Sequence, residues 1–144
     1  MVNLSILSGY AAATDSSLGL TETCTVVCST AEDDIFLGSS GSLLPGFTAK
    51  IVSPDGKEVS GYDQPGELVV QSPSVVLGYL NNEKANEETF LQDTDGKGRW
   101  MRTGDEAVIR KSPKGNEHIF IVDRIKELIK VKVRTYLQPH LPCI

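Results

Sequence analysis

The sequence predicts a mainly β domain of short antiparallel strands with one short helix. Three observations carry this. Apolar and β-branched runs recur in lengths of about four to eight residues, the span of a strand. Clusters rich in Gly, Pro, Asn and Asp separate them, as at Pro54-Asp-Gly56, Pro65-Gly66 and Ser112-Pro-Lys-Gly-Asn116. Only Asn82 to Phe90 combines a capping residue (Asn81 or Asn82) with acids in its opening turns, the signature of a helix start.

Along the chain, Ala11 to Ser17 is small and polar without periodicity. A turn at Leu18 precedes the apolar run Cys24-Thr-Val-Val-Cys-Ser29, a strand or pocket-lining segment. Gly38 to Gly46 is turn-rich. Thr48 to Ser53 reads as a strand, ended by Pro54-Asp-Gly56 before Lys57-Glu-Val59, and Glu67-Leu-Val-Val-Gln71 follows Pro65-Gly66. Asp93 to Gly98 is a loop. Trp100 to Thr103, Glu106 to Lys111 and Glu117 to Val122 read as three strands, with a hairpin turn between the last two, and Leu128 to Val133 is a further β-branched run.

The chain has 144 residues, enough to bury one core. Its net charge of −5 disfavours a nucleic-acid or anionic-membrane partner. No apolar run approaches bilayer length. The first residues lack the Lys or Arg of a signal peptide and the end is not a peroxisomal signal, so the expected location is cytoplasmic. Cys24, Cys28 and Cys143 are odd in number, and the first two lack the partners of a zinc site. They read as free thiols, buried or half-buried.

Three segments could carry chemistry. In Gly19-Leu-Thr-Glu-Thr23, a hydroxyl (Thr21) and a carboxylate (Glu22) on a tight turn suit a phosphate oxygen and its magnesium ion, or form an ordinary Thr-Glu turn. In Arg99-Trp-Met-Arg-Thr-Gly-Asp105, the Asp after a Thr-Gly turn could accept two ribose hydroxyls or cap local backbone amides. Val122-Asp-Arg-Ile-Lys-Glu-Leu-Ile-Lys130 could be a site edge or a solvated charged face. Two decoys fail on inspection. Asp93-Thr-Asp-Gly-Lys-Gly98 has Lys97 where a calcium ligand is needed, and Ser39-Ser-Gly-Ser42 leads into no Gly-Lys phosphate loop. His118 and His140 have no partner at a triad spacing and read as structural or surface.

Taken together and in this order, the three segments resemble the adenylate-forming (AMP-binding) enzymes, nearest the coumarate–CoA ligase and luciferase branch of acyl- and aryl-CoA ligases. The resemblance covers residues 18 to 132, with supporting matches at Gly41 through Pro45-Gly46, Gly66-Glu67-Leu68, Ser72-Pro73, Gly78-Tyr79 and Thr89-Phe90. It implies a distorted antiparallel β-barrel-like subdomain from the late part of the family's large N-terminal domain. Residues 1–22 would be a divergent segment ending in the Thr-Glu motif, 23–124 the barrel-like AMP-binding part, and 125–144 a hinge remnant with an unrelated tail. The implied reaction joins a carboxylic acid to ATP as an acyl-adenylate, then transfers the acyl group to CoA. The implied ligands are ATP or AMP, Mg2+, CoA and a small carboxylic acid.

The resemblance also implies roles. Thr21 would contact a phosphate, Glu22 the magnesium ion, and Thr25 and Val26 would line the acid pocket. Asp105 would hold the ribose, and Arg124 ribose and phosphate oxygens. Lys126 would sit at the hinge, and Lys130 would face the site in the thioester step. The family's upstream phosphate loop and downstream small domain are not recognisable in the 144 residues. The expectation is therefore a truncated homologue inactive in isolation, with self-association through exposed strand edges. The alternatives are a non-catalytic β module binding a nucleotide or partner chain, or a gene fragment that does not fold usefully.

Overall fold

A computed structural model of the chain describes residues 16–92, 96 and 98–125. Among these, nine strands and one α-helix form two antiparallel sheets. The smaller sheet contains β1 (Ser17–Leu20), β2 (Thr25–Ser29) and β3 (Ser42–Leu43) in that order. The larger contains β4 (Thr48–Val52), β5 (Glu58–Val59), β6 (Gly66–Ser72), β7 (Phe90–Leu91), β8 (Arg99–Lys111) and β9 (Glu117–Arg124). Its path is β5-β4-β6-β8-β7, with β9 also paired to β8. The expected mainly antiparallel β module with one short helix is what forms.

β6 is the central strand, and its buried Leu68, Val69, Val70 and Gln71 reflect packing on both faces. Leu68 and Val70 join Val27, Cys28, Ile51, Met101, Ala107 and Ile119 in one core that spans both sheets. The two sheets meet where Ser40 N–H donates to Ile119 C=O (2.7 Å) and Ile119 N–H donates to Gly41 C=O (2.9 Å).

The sequence suggests two strands around a Thr-Gly-Asp turn, but the structure has one 13-residue strand, β8. Its first half pairs with β6 and β7, and its second half with β6 and β9. Between the Val69↔Arg102 and Glu67↔Glu106 pairs, Leu68 alone opposes Thr103, Gly104 and Asp105. Gly104, at φ +75°, takes up the extra length as a bulge rather than a chain reversal. β6 continues across the bulge, so the strand is bent and not broken.

The helix α1 (Glu83–Thr89) begins at Asn82, whose side chain accepts from Ala85 N–H at 3.2 Å. Asn81, the other cap candidate, is in the left-handed region at φ 54°. At seven residues the helix is too short to persist by itself. Asn86 ties it down, accepting from Tyr79 N–H (2.6 Å) and donating to Tyr79 C=O (3.0 Å). Of the described cysteines, Cys28 lies in the core, where burial pushes its thiol up to about 11. Cys24 is exposed, against the expectation of a buried or half-buried thiol, because it caps the Thr21–Thr23 turn at φ 57°. Among the described residues no helix is long and apolar enough to cross a membrane.

Candidate functional site

Thr21 and Glu22 occupy a single 3-10 turn, Thr21–Thr23, between β1 and β2. Cys24 N–H donates to Thr21 C=O at 3.2 Å and closes it. Thr23 is fully buried, its hydroxyl 3.0 Å from Leu20 C=O and 2.8 Å from Thr25 C=O, so one side chain ties both ends of the turn. This leaves Thr21 exposed and Glu22 half-buried. Glu22 is held twice more: its C=O accepts from Val76 N–H at 2.9 Å, and its Oε1 accepts from Tyr79 Oη at 2.7 Å. Burial first, and the neighbouring Glu22 carboxylate second, push the Tyr79 phenol up to about 12, so it is a proton donor at neutral pH. On β2, Thr25 is exposed and Val26 half-buried.

Asp105 and Arg124 are register partners across the β8–β9 hairpin. Arg124 Nε donates to Asp105 Oδ1 at 3.1 Å; the Asp side chain is 3% exposed and the Arg side chain 43%. The carboxylate sits at the rim of the core, and a cation reaches it from the solvent side. The bulge sets the position of Asp105. Thr103 Oγ1 donates to Leu68 C=O (2.9 Å), replacing a ladder bond, and accepts from Asp105 N–H (3.0 Å). Glu67 braces the same bulge, accepting from Gly104 N–H at 3.2 Å and from Arg102 Nε at 2.8 Å. The sequence placed Gly66-Glu67-Leu68 only among packing matches.

Thus the structure joins Asp105 to Arg124 directly and sets Glu22 beside Val76 and Tyr79, with Thr21 exposed on the same turn. Lys126 and Lys130 lie outside the described residues, as do the Leu128 to Val133 run, His140 and most of the Asp93 to Gly98 loop. Among the described residues no group of three or more His, Cys, Asp or Glu gathers as a metal centre. A single carboxylate such as Glu22 nevertheless suits magnesium, which is bound through one or two carboxylates with substrate phosphates and water completing the shell.

His118 differs from its sequence reading in one respect. Of the two readings, structural or surface, it is structural and buried, and it has both a Ser and an Asp partner. Ser39 Oγ lies 2.8 Å from Nδ1, and Asp34 Oδ2 lies 3.1 Å from Nε2. Ser112 Oγ (2.9 Å) and Asn116 Nδ2 (2.6 Å) also donate to Asp34 Oδ2. All three members of the trio are buried, and Ser39 Oγ is also engaged by Gly41 N–H at 3.0 Å. With no open face at the serine, the trio is a polar tie between the loop before β3 and the β8–β9 hairpin. It also accounts for Ser39-Ser-Gly-Ser42: Ser39 binds His118, and Ser42 Oγ donates to Glu117 C=O at 2.8 Å.

The tie has a pH signature. Hydrogen bonds from Asn116, then from His118 and Ser112, outweigh burial and hold the Asp34 carboxyl below its ordinary value of 3.8. A depressed carboxylate stabilises the fold above its unfolded-state value, and that contribution is lost as pH falls through the folded-state value. The expected result is a decline in the urea midpoint on acidification below about pH 4. Asp34→Asn should be less stable at neutral pH and should decline less steeply below it. Equal slopes for the two proteins would show that Asp34 does not carry the dependence.

Comparison with known proteins settles the family. The family model described as AMP-binding enzyme matches residues 12–80. An acyl-CoA ligase of Alternaria alternata is 54% identical over 119 residues, which is 83% of this chain and 20% of that protein. This chain belongs to the AMP-binding enzyme family. An acyl-CoA ligase of Purpureocillium lilacinum is 50% identical over 127 residues, 88% of this AMP-binding-family chain and 30% of its relative. Among solved structures, the O-succinylbenzoate–CoA synthetase of Bacillus subtilis in complex with AMP matches 77% of this chain and 21% of its own at 32% identity, with a TM-score of 0.61. A long-chain fatty-acid–CoA ligase of Archaeoglobus fulgidus matches 79% and 23% at 27% identity, also with a TM-score of 0.61. The AMP-binding-family chain therefore spans roughly a fifth to a third of the length of these curated relatives.

Proposed function

We propose that these residues form the ribose-binding and metal-side portion of an ATP-dependent carboxylic acid–CoA ligase. The observation that carries this reading is the Asp105–Arg124 pair: a carboxylate buried at a glycine bulge, bridged by a half-exposed guanidinium. A buried carboxylate accepts up to four hydrogen bonds, and vicinal ribose hydroxyls supply two donors in one plane. Arg124, with five N–H donors, holds Asp105 through Nε, and its half-exposed guanidinium would turn to ribose or phosphate oxygens when a nucleotide binds.

Glu22, supported from the Tyr79 side, is the carboxylate that would hold magnesium against the phosphates, with Thr21 donating its exposed hydroxyl to a phosphate oxygen. When bound, the metal would supply neutralisation of charge on the departing pyrophosphate. Thr25 and Val26 would line the acid pocket. Lys126 and Lys130 retain their roles from the family resemblance, as the hinge and as a side chain facing the thioester step. The acid attacks the α-phosphate of ATP, giving acyl-adenylate and pyrophosphate. The CoA thiol then takes the acyl group and AMP leaves. Protein groups act here chiefly by placing reactants and by fixing charge where it develops.

The reading also implies that these 144 residues alone do not turn over, because the family's phosphate loop and small domain are not recognisable among them. Pyrophosphate release from ATP, measured with the purified 144-residue chain across fatty and aromatic acids, should stay at background. Acid-dependent release would overturn that expectation. Saturable AMP binding without turnover is the expected behaviour.

A further inference from the structure

We infer that Tyr79 is a positioning residue for Glu22, fixing its carboxylate in place before any ligand arrives; the inference rests on the reading of Glu22 as the metal-side carboxylate. A glutamate side chain has three rotors, and freezing it costs conformational entropy. An exposed glutamate on a turn would meet that cost when the ligand binds. Here the structure meets it beforehand. Tyr79 Oη donates to Glu22 Oε1 at 2.7 Å, and Val76 N–H holds the Glu22 backbone at 2.9 Å.

The donor is itself rigid. Asn86 grips the Tyr79 backbone on both sides, at 2.6 Å and 3.0 Å, and Asn82 anchors Asn86 through a backbone bond of 3.1 Å. The Tyr79 ring leans on Phe90 with centroids 5.4 Å apart. Gly78 permits this close approach, since a Cβ there would lie 2.8 Å from Asn86 Oδ1. The phenol takes one carboxylate oxygen of Glu22 and leaves the second for a cation. Helix α1 thereby reaches the Thr-Glu turn through two side chains, Asn86 and Tyr79, which gives the Asn82–Phe90 segment a place in the site as well as in the packing.

The test uses the full 144-residue chain and Tyr79→Phe, which keeps the ring and removes the hydroxyl that bonds Glu22 and Thr89. The first measurement is free of metal and nucleotide: side-chain scalar couplings of Glu22 by NMR. Wild type should show one dominant χ1 rotamer, and Tyr79→Phe should show averaging. Averaged couplings in wild type overturn the inference with no variant needed. The second measurement is paramagnetic broadening of the Thr21–Thr23 amides by Mn2+ with ATP. Tyr79→Phe should raise the manganese–ATP concentration for half-broadening about 3–10-fold, the loss of one hydrogen bond. AMP-induced shifts at Asp105, taken without metal, should be unchanged. Glu22→Gln separates the two claims. If it leaves the broadening intact, the reading of Glu22 fails. If it abolishes the broadening while Tyr79→Phe matches wild type, the reading stands and the role of Tyr79 falls.

Discussion

Asp105→Ala is expected to abolish detectable AMP binding by the chain. Hydrogen bonds to a charged group contribute about 1.5–3 kcal/mol each, or about 10- to 150-fold in affinity. Association costs at least roughly 4 kcal/mol in lost translational and rotational freedom. Two or three such bonds therefore leave wild type near or weaker than about 1 mM, and removing the acceptor of two of them leaves nothing saturable. The loss should be local. Arg124 is 43% exposed, so water takes up its guanidinium when the carboxylate goes. Thr103 and Glu67 still hold the bulge through backbone groups. An NMR titration with AMP checks the prediction: shifts near residues 103–105 and 124 in wild type, none in the variant, and dispersed spectra for both. Micromolar wild-type affinity, or shifts that survive the substitution, would remove Asp105 from the ribose site.

The Asp105–Arg124 pairing could almost be counted from the sequence. A turn at Ser112–Asn116 sets Lys111 opposite Glu117, and pairing then runs back along both strands to Asp105 and Arg124, with one irregularity at Glu106/Ala107. Neighbouring strands joined by a short turn have a register fixed by local residues. The helix cap at Asn82 and the turn at Pro54-Asp-Gly56 were legible for the same reason, since each depends on its own few residues; Pro65-Gly66, expected as a turn, instead leads into β6, and the turn lies at Tyr62-Asp63, with Asp63 at φ 59°.

Contacts that depend on how non-adjacent strands and loops pack were not legible. The Tyr79–Glu22 bond spans 57 residues, and the His118 contacts with Ser39 and Asp34 span 79 and 84. Sequence can require that a buried tyrosine hydroxyl or histidine find a partner. It cannot say which partner without the sheet order. The continuity of β8 was hidden for a related reason. Thr-Gly-Asp has the composition of a turn, and only the uninterrupted β6 alongside converts it to a bulge.

Gly41→Ala is expected to be strongly destabilising, because the joint between the two sheets closes on that buried loop residue. Its φ is +89°, and an added Cβ would lie 2.0 Å from Ser29 C, 2.2 Å from Ser29 O and 2.3 Å from Thr30 N. Backbone atoms cannot swing aside as a flexible side chain can. Left-handed strain and overpacking each cost about 1–3 kcal/mol, so a combined loss on the order of 3 kcal/mol is expected. With a urea dependence of about 1–3 kcal/mol per molar, the unfolding midpoint should fall by about 1–3 M. Gly46→Ala is the control: its φ is +91°, but nothing lies within 4 Å of the new Cβ, so it isolates the strain alone. Equal losses in the two variants would show that close approach at Gly41 contributes nothing. The joint also links function to fold. Gly41 C=O receives Ile119 N–H, and Ser39 beside it holds His118, so this corner fixes the sheet bearing the Thr21–Glu22 turn against the sheet bearing Asp105. In Gly41→Ala the Ile119 amide should exchange with solvent faster than the amides of β6, because the corner opens before the central strand does.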